Sequence, residues 1–248
     1  MSDRSHILFI GGSGLLGSEF KKIRPDIEYP CHEDFDIIDY LQMKSYIGGK
    51  DFTTILHAAA FTSPPAIDKD PIKALEVNIV GTCNVVRLCQ DFGLQLVYIS
   101  TDYIFKGDRG LYSETDAVYP SNKYAWSKLG GECAMRLYDK ALIIRTSFGP
   151  NTFPYEKAFV DQWTSRESVS VIARKINALL DKDITGVVHV GGERKTVHQY
   201  ATQLDATRAI GKMSIHDVSF AAPSDTSLSC EKYEELIRRD RLELGFER

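Results

Sequence analysis

The sequence lacks the cysteine pattern of a disulfide framework or a zinc site. Its 248 residues include five cysteines, an odd number spread along the chain without a C-x-x-C pair. Paired cysteines stabilise small secreted domains, and closely spaced cysteines bind zinc. We therefore expect five small buried side chains in a reducing compartment and no metal site.

Long apolar segments and basic runs are also missing. No stretch approaches the ~20 apolar residues of a membrane span, and the apolar run 7–10 is too short for a signal peptide. The chain contains 30 Lys and Arg residues and 34 Asp and Glu residues, so its net charge is -4. Nucleic acids and anionic membranes require a basic face. We therefore expect a cytoplasmic protein that binds neither of them, and a homodimer is compatible with this sequence.

What the chain does contain is an alternation of apolar strand-like runs with amphipathic helical segments. Strands are predicted at His6–Ile10, Ile27–Cys31 (weakly), Thr54–His57, Leu94–Ser100, Ala141–Arg145 and Val187–Val190. Helices are predicted at Leu15–Ile23, Ile72–Phe92, Ser121–Tyr138, Thr196–Ile210 and Cys230–Arg239. Strands that are apolar throughout and alternate with helices indicate a parallel sheet covered on both faces. The predicted fold is α/β, a Rossmann-type doubly wound parallel sheet formed mainly by residues 1–148. Residues 149–248 complete the sheet and form a small C-terminal substrate lobe.

The first strand leads into a glycine-rich turn, which reads GGSGLLG from Gly11 to Gly17. Glycine permits the tight turn, the close approach of the backbone to a pyrophosphate, and the packing of helix on strand. The diphosphate then lies at the free N–H groups of the following helix. This pattern predicts a nicotinamide dinucleotide. The segment 31–36 contains acidic residues but no Arg or Lys, and no acid clearly ends the strand, so both NADH and NADPH remain open.

A second motif, Y-x-x-x-K, places Tyr124 and Lys128 four residues apart within a predicted helix. Residues at this spacing share one helical face, and a nearby cation lowers the pKa of a tyrosine. Carbonyl reduction requires such a group, because the alkoxide that forms must be protonated. Ser100 and Thr101 place hydroxyl groups at the carboxyl edge of the sheet, where ligands bind in open α/β folds. The motifs therefore favour a reductase.

Several segments together resemble one family. They read ILFIGGSGLLG, ILHAAAFTS, YISTDYIFKG, YSETDAVYPSNKYAWSKLGGE and IIRTSFGP, and they are spread over residues 7–150. In this order they resemble the extended short-chain dehydrogenases/reductases, and specifically the dTDP-4-dehydrorhamnose reductase family. The resemblance implies reduction of a 4-keto-6-deoxy nucleotide sugar by NADPH or NADH.

The resemblance also implies roles for individual residues. It implies a catalytic trio of Thr101, Tyr124 and Lys128, and substrate contacts from Asp102 and Phe148. The implied cofactor-binding residues are Gly11, Gly14, Leu15, Leu16, Gly17, Asp36, Ile37, Ala58, Ala59, Ala60, Thr62, Asn78, Ser100, Thr146 and Ser147.

The resemblance weakens after Phe148. The segment 149–161 is short, 161–166 lacks the family's proline-threonine signature, and Ala222 occupies a position where the family has arginine. These segments belong to the predicted substrate lobe, so the identity of the sugar is less well supported than the cofactor chemistry. Three cations are candidates for contacts to a substrate diphosphate: Arg166, Arg194 and Lys195.

Two other functions remain open at this level. A fold can be reused without its chemistry, as in the non-catalytic NAD(P)-binding beta subunit of methionine adenosyltransferase, which resembles this family. A sugar-nucleotide epimerase of the same superfamily is the other alternative. The complete trio favours an enzyme over the binding protein. His57, at a strand end, is expected to be a core histidine rather than an acid–base group.

Overall fold

The computed structural model describes residues 6–180, 182–218 and 222–243. Its centre is a sheet of five parallel strands in the order β1-β2-β3-β4-β9. Their bounds are β1 Ile7–Ile10, β2 Thr54–His57, β3 Gln95–Thr101, β4 Ala141–Thr146 and β9 Gly186–Val190. Nearly every strand residue is buried, as expected for a sheet covered on both faces.

Helices cover both faces of this sheet. Three of them pack against one face: α1 Leu15–Ile23, α7 Val169–Leu180 and α9 Glu231–Glu243. Three others pack against the opposite face: α2 Tyr40–Ile47, α5 Thr82–Phe92 and α6 Lys123–Met135. Apolar side chains alternate between the two cores along β3, with Val97 and Ile99 in one core and Leu96 and Tyr98 in the other. The doubly wound Rossmann-type fold predicted from the sequence is confirmed.

The segment Ile27–Cys31 is not a strand in its own right. Only Glu28 pairs with β1, where its N–H donates to the carbonyl of Ile7 at 3.1 Å and its carbonyl accepts from the N–H of Phe9 at 2.8 Å. Pro30 follows closely and has no N–H to donate, so the ladder cannot continue. The prediction of a strand was therefore wrong in length, although it located the correct edge of the sheet.

The predicted helix Ile72–Phe92 is divided. It begins as α4 Pro71–Ala74, widens into a π-helical segment Leu75–Gly81 and continues as α5. π-Helical turns are rare and frequently lie at functional sites. A further helix, α3 Pro64–Lys69, precedes α4 and was not predicted.

The C-terminal part contains short strands in three pairs, β5 with β8, β6 with β11 and β7 with β10. Their bounds are β5 Phe148–Gly149, β6 Lys157–Phe159, β7 Trp163–Thr164, β8 Glu167–Ser168, β10 Lys195–Thr196 and β11 Gly211–Met213. Helix α8 Val197–Leu204 is shorter than predicted, because Asp205 accepts hydrogen bonds from the N–H and hydroxyl of Thr207 and so forms a turn. Short 3₁₀ turns occupy Asp102–Ile104 and Ile215–Asp217.

A small separate core supports this lobe. It is formed by Phe153, Ala158, Val197, Tyr200 and Ala201. By contrast, β9, α7 and α9 from the same half of the chain complete the main sheet and its cover. The boundary between the two predicted units at residue 148 stays a prediction.

The five cysteines are all free thiols. Cys89 is buried, whereas Cys31, Cys83 and Cys133 are exposed, so the expectation of five buried cysteines was wrong for these three. Their positions on outward faces could not be inferred from spacing alone. Within the described ranges, no helix has the length and apolar character needed to span a membrane.

Candidate active site

A groove of about 590 Å³ opens at the carboxyl ends of β1 and β2. After β1 the chain turns to one side, where Glu28 pairs with that strand, and β2 then lies on the other side of β1. Because the connections diverge at this point, a crevice is left open, and such a switch point is where open α/β sheets bind ligands. The fold therefore places the groove directly beside the glycine-rich turn.

Three of the four glycines of the turn have different structural roles. Gly11 has a φ of 103°, and a side chain there would bring its β carbon within 2.7 Å of the backbone nitrogen of Ala59. At Gly17 a β carbon would lie 2.5 Å from the carbonyl oxygen of Gly11, so this glycine lets α1 pack against the turn. Gly14 is the N-cap of α1, and a β carbon there would have only that same carbonyl oxygen nearby, at 3.3 Å. Gly14 thus keeps the glycine-rich turn, the cradle for a diphosphate, open to a ligand. The fold itself does not require a glycine at this position.

We expect Gly14→Val to lower the affinity for reduced nicotinamide dinucleotide by at least about 100-fold, since the branched side chain blocks the approach of a diphosphate to the backbone. The backbone of Gly14 has a φ of -74°, which valine can adopt, so folding should be largely retained. Isothermal titration calorimetry with NADH and NADPH measures the change. Gly48→Ala, at a helix end remote from the groove, is the matched control. Wild-type affinity in Gly14→Val would contradict the assignment of the cradle.

The groove is lined by about half of the predicted cofactor residues. These are Gly11, Gly14, Asp36, Ile37, Ala58, Ala59 and Ala60. Leu15 and Leu16 do not line it: Leu15 is largely exposed and Leu16 is in the core, so only their backbone N–H groups could reach a diphosphate. Thr62 is exposed on the loop after β2.

The far wall of the groove was not anticipated from the sequence. It combines the segment after the Glu28 bridge with α4 and the π-helical segment. The additional lining residues are Ser13, Pro30, His32, Phe35, Ile38, Phe61, Asp70, Ile72, Lys73, Glu76 and Val77. Apart from Ser13, which belongs to the glycine-rich turn, no motif marks them, because tertiary packing brings these segments together.

A second cluster of polar groups lies at the carboxyl ends of β3 and β4. The Thr101 hydroxyl hydrogen-bonds Asp102 Oδ1 at 3.2 Å and accepts the N–H of Tyr103 at 3.2 Å. Tyr124, half-buried in the first turn of α6, also hydrogen-bonds Thr101. Asn122 fixes the start of α6 by accepting the N–H of Ala125 at 2.8 Å. The phenol and the hydroxyl predicted to act together are therefore adjacent.

The pKa of Tyr124 differs from the expectation. Burial raises it above the ordinary value, and the Asp102 carboxylate raises it further, while the hydrogen bond with Thr101 acts in the opposite direction. The prediction that Lys128 lowers this pKa was wrong. Lys128 is not among the groups that shift the pKa of Tyr124, and its ammonium instead lowers the pKa of His57. The phenol is therefore protonated at neutral pH, as a proton donor must be, but the raised pKa makes it a weaker acid than the motif predicted.

Lys128 is buried on the same helix, and its ammonium lies 4.0 Å from the ring centroid of Tyr98. Burial lowers the pKa of Lys128 to about 7, and the nearby Glu132 carboxylate counteracts this shift. His57 is close enough for its own pKa to be lowered to about 3 by burial and by Lys128. The His57 Nε2 atom hydrogen-bonds Thr82 at 3.0 Å, so this residue is a neutral core histidine.

Asn78, in the π-helical segment, connects three elements of the site. Its side chain accepts the N–H of Phe61 at 2.7 Å and donates to the Phe61 carbonyl at 2.9 Å and to the Ser127 hydroxyl at 2.8 Å. Ser127 lies between the tyrosine and the lysine of the motif. Asn78 therefore fixes the loop after β2 against α6, which fits a positioning role better than a direct contact to a cofactor.

Two buried hydroxyl groups at the strand ends have no hydrogen-bond partner in the described residues: Ser100 Oγ and Thr146 Oγ1. Leaving a buried hydroxyl unpaired costs free energy, so such groups normally mark the position of a missing partner. They lie near the carboxyl ends of β3 and β4, at the edge of the sheet that carries the groove. Together with the open cradle at Gly14, these unpaired hydroxyls fit a bound dinucleotide that extends along this edge.

The predicted substrate residues Asp102 and Phe148 come shortly after the ends of β3 and β4, respectively. Asp102 is 3% exposed and accepts a hydrogen bond from Thr226 at 2.6 Å, and burial raises its pKa. Phe148 is half-buried on β5 and packs against the main core. Ser147, between β4 and β5, contacts Arg166, whose Nε donates to the serine hydroxyl at 3.3 Å. Contacts of Asp102 and Phe148 with a substrate stay predictions.

A buried ion pair anchors α6 to β4. The Arg145 guanidinium on β4 donates to the Glu132 carboxylate on α6, with an Nη2–Oε2 distance of 2.8 Å, and both side chains are 2% exposed. Paired guanidinium and carboxylate groups of this kind fix relative orientation strongly. The helix that carries Tyr124 and Lys128 is therefore held rigidly to β4.

Comparison with known proteins places this architecture in a family. A family model described as RmlD substrate binding domain matches residues 5–236. A dTDP-4-keto-6-deoxy-D-glucose reductase of Streptomyces niveus is 30% identical over 211 residues, which are 76% of this chain and 73% of that protein. The methionine adenosyltransferase 2 subunit beta of Rattus norvegicus is 24% identical over 93% of this chain and 82% of its own.

A solved structure has the same fold. It is a dTDP-4-dehydrorhamnose reductase from Bacillus anthracis in complex with NADP, with a TM-score of 0.83 and 24% identity over 98% of this chain and 99% of that one. The match of the family model to nearly the whole chain confirms the resemblance found in the sequence. The chain belongs to the dTDP-4-dehydrorhamnose reductase family of extended short-chain dehydrogenases/reductases.

Proposed function

We propose that this protein is an NAD(P)H-dependent oxidoreductase that reduces the keto group of a 4-keto-6-deoxy nucleotide sugar. The observation that carries the proposal is the placement of the Tyr124 phenol beside Thr101, at the sheet edge that also carries the dinucleotide groove. The reductase from Streptomyces niveus and the NADP complex from Bacillus anthracis support the same reaction and cofactor class.

Each residue of the site has a distinct role in the proposed reaction. The glycine-rich turn and Ala58–Ala60 hold the dinucleotide, which supplies a hydride when bound. When the substrate binds, the Thr101 hydroxyl turns its proton from Asp102 to the carbonyl oxygen, and Tyr124 gives its proton to that oxygen as negative charge develops on it. Lys128 holds the nicotinamide ribose, while Asn78 keeps the neighbouring loop and helix in place. Asp102 orders Thr101 in the resting site, and burial together with the Asp102 carboxylate raises the pKa of the phenol.

We also propose a division of the chain into two units, a location and an oligomeric state. Residues 1–148 serve as the cofactor-binding unit and residues 149–248 mainly as the substrate lobe. The free cysteines support a cytoplasmic location, where thiols stay reduced. A homodimer would bury apolar surface such as Trp126 and Leu137, which are 54% and 86% exposed on and just beyond α6.

A panel of 4-keto nucleotide sugars with NADH and NADPH tests the proposed reaction. We expect net oxidation of the nicotinamide, seen as loss of absorbance, with one molecule consumed for each sugar reduced. An epimerase would regenerate its cofactor and show no net oxidation. A regulatory binding protein would bind the dinucleotide and oxidise none, and that outcome would favour the alternative represented by the methionine adenosyltransferase relative.

A further inference from the structure

The groove beside the glycine-rich turn lacks the side chain that usually distinguishes the two nicotinamide dinucleotides. In a Rossmann fold, an acid about 20 residues beyond the glycine-rich turn accepts the 2′-hydroxyl of the adenosine ribose, whereas an arginine nearby accommodates the 2′-phosphate of NADPH. Here the segment after the Glu28 bridge reads YPCH from Tyr29 to His32, so neither an acid nor an arginine follows the paired residue directly. The choice between the two cofactors therefore depends on other side chains.

Two acids of the following loop already contact groups of that same loop. The Asp34 carboxylate accepts a hydrogen bond from the Cys31 thiol at 2.9 Å. Asp36 lines the groove, but its Oδ1 atom accepts the N–H of Ile38 at 3.0 Å, and its Oδ2 atom lies 3.7 Å from His32 Nε2. An exposed pair at this distance is weak, so the imidazole of His32 remains available to a ligand in the groove.

Lys21 supplies a positive charge in the same region, from α1. This exposed residue lies in the last turn of the helix that begins at the glycine-rich turn. A β carbon on Gly12 would lie 3.4 Å from Lys21 Cε and 3.0 Å from Tyr29 Cβ, so these three residues are close together. The Lys21 ammonium lies 5.5 Å from the ring centroid of Tyr29. Lys21 is therefore placed between the diphosphate cradle and the segment that follows the Glu28 bridge.

The charge of Lys21 differs from that of its neighbour because no carboxylate neutralises it. Lys22 pairs with Glu19 at 2.7 Å, whereas Lys21 has no ion-pair partner in the part of the chain that the structure describes. The ring beneath Lys21 is held in place, since the Tyr29 hydroxyl donates to the carbonyl of Arg24 at 2.9 Å. The ammonium can therefore bind an anionic group of a ligand without breaking an ion pair.

We propose that Lys21, together with His32, binds the 2′-phosphate of NADPH and makes this protein prefer NADPH to NADH, an inference that rests on the dinucleotide groove of the proposed function. The two cofactors differ only in that phosphate, which carries a charge of about -1.5 to -2 at neutral pH. An ammonium attracts it as a point charge, and an imidazole N–H donates a hydrogen bond to it. The 2′-hydroxyl of NADH offers no such charge, and no acid follows Glu28 to accept its proton.

Binding of two adenosine nucleotides, without nicotinamide and without turnover, tests this preference. Adenosine 2′,5′-diphosphate and adenosine 5′-monophosphate differ only in the 2′-phosphate, and calorimetric titration of the full chain gives the ratio of their affinities. We expect the wild type to favour the diphosphate by about 20- to 100-fold. Lys21→Gln should reduce this ratio by about 10-fold, and His32→Gln by about threefold, through weaker binding of the diphosphate alone. Lys21→Glu should reverse the preference. Titrations with NADPH and NADH should give the same order of variants.

Lys22→Gln is the matched control, since it removes a neighbouring charge from the same helix turn. It should keep the wild-type ratio. Ionic strength gives an independent reading, because exposed charges are screened by salt. Raising the salt from about 0.05 M to about 0.5 M should lower the wild-type ratio and leave that of Lys21→Gln nearly unchanged. Equal losses of affinity for both nucleotides in Lys21→Gln would indicate a structural role and overturn the inference.

The inference and the proposed function can fail separately. If the wild type binds NADPH and NADH equally, or if Lys21→Gln keeps the wild-type ratio, the inference is wrong and the reductase proposal stands. If the wild type selects NADPH through Lys21 but reduces no keto sugar, the inference stands and the reductase proposal fails. If the wild type binds neither dinucleotide, both are wrong.

Discussion

Tyr124→Phe should lower kcat for keto-sugar reduction by about 10²- to 10⁴-fold, the usual contribution of a general acid. The variant keeps the ring and its packing on α6 and removes only the hydroxyl that hydrogen-bonds Thr101. The alkoxide that forms on reduction then lacks the phenol as its proton donor. Cofactor affinity should change little, because the phenol serves the substrate. Pre-steady-state and steady-state rates of nicotinamide oxidation measure the loss.

Tyr119→Phe is the matched control for this experiment. Tyr119 precedes α6, and 63% of it is exposed, so its hydroxyl has no role in the site. This control should retain full activity. Near-normal kcat in Tyr124→Phe would remove the phenol from the mechanism and leave Thr101 or water as the proton source.

Lys128→Met should have two opposite effects. Turnover and cofactor affinity should both fall, because the ammonium that holds the ribose is lost. Stability should increase by about 1 to 4 kcal/mol at pH 6, because methionine fills the same space without a buried charge. Such opposition between stability and function is typical of a residue kept for its chemistry.

The stability effect of Lys128 has a defined pH dependence. The ordinary lysine pKa of 10.5 applies to the unfolded chain, and burial lowers it to about 7 in the folded protein. Between these values the unfolded state binds more protons, so wild-type stability rises as pH increases from about 7 to 10.5. The advantage of Lys128→Met is therefore largest below pH 7 and declines above it.

Urea unfolding of both proteins at pH 6 and pH 9 measures this difference. Lys123→Met is the control, since Lys123 is exposed on the same helix and its ammonium lies 3.5 Å from Asp68. A variant that is less stable than wild type at pH 6 would show that contacts with Tyr98 and Glu132 outweigh the cost of burying the charge.

The fold and the main polar groups of the site were predictable because their signals are local. A buried run such as Ile7–Ile10 followed by glycines requires only neighbouring residues to be interpreted, and the Y-x-x-x-K spacing places Tyr124 and Lys128 on one helix. The pairing of Glu28 was predicted only in part, since Pro30 limits a strand that apolar character alone would extend.

The properties of the site that depend on distant residues could not be obtained in this way. The pKa of Tyr124 rises because Asp102, from a different strand end, is close in space. Asp102 is in turn held by Thr226, 124 residues further along the chain. The same holds for Arg166, whose sequence neighbours give no sign that it contacts Ser147. Side-chain spacing identifies the groups, whereas packing determines their charge states.

Transfer of deuterium from labelled cofactor to sugar tests the central proposal most directly. The wild type is incubated with a 4-keto-6-deoxy nucleotide sugar and NADH or NADPH that carries deuterium at both C4 positions of the nicotinamide. The account predicts a product with one deuterium at C4 of the sugar and one equivalent of oxidised nicotinamide, both strongly reduced in Tyr124→Phe. A sugar recovered without deuterium, from protein that binds the cofactor normally, would contradict it.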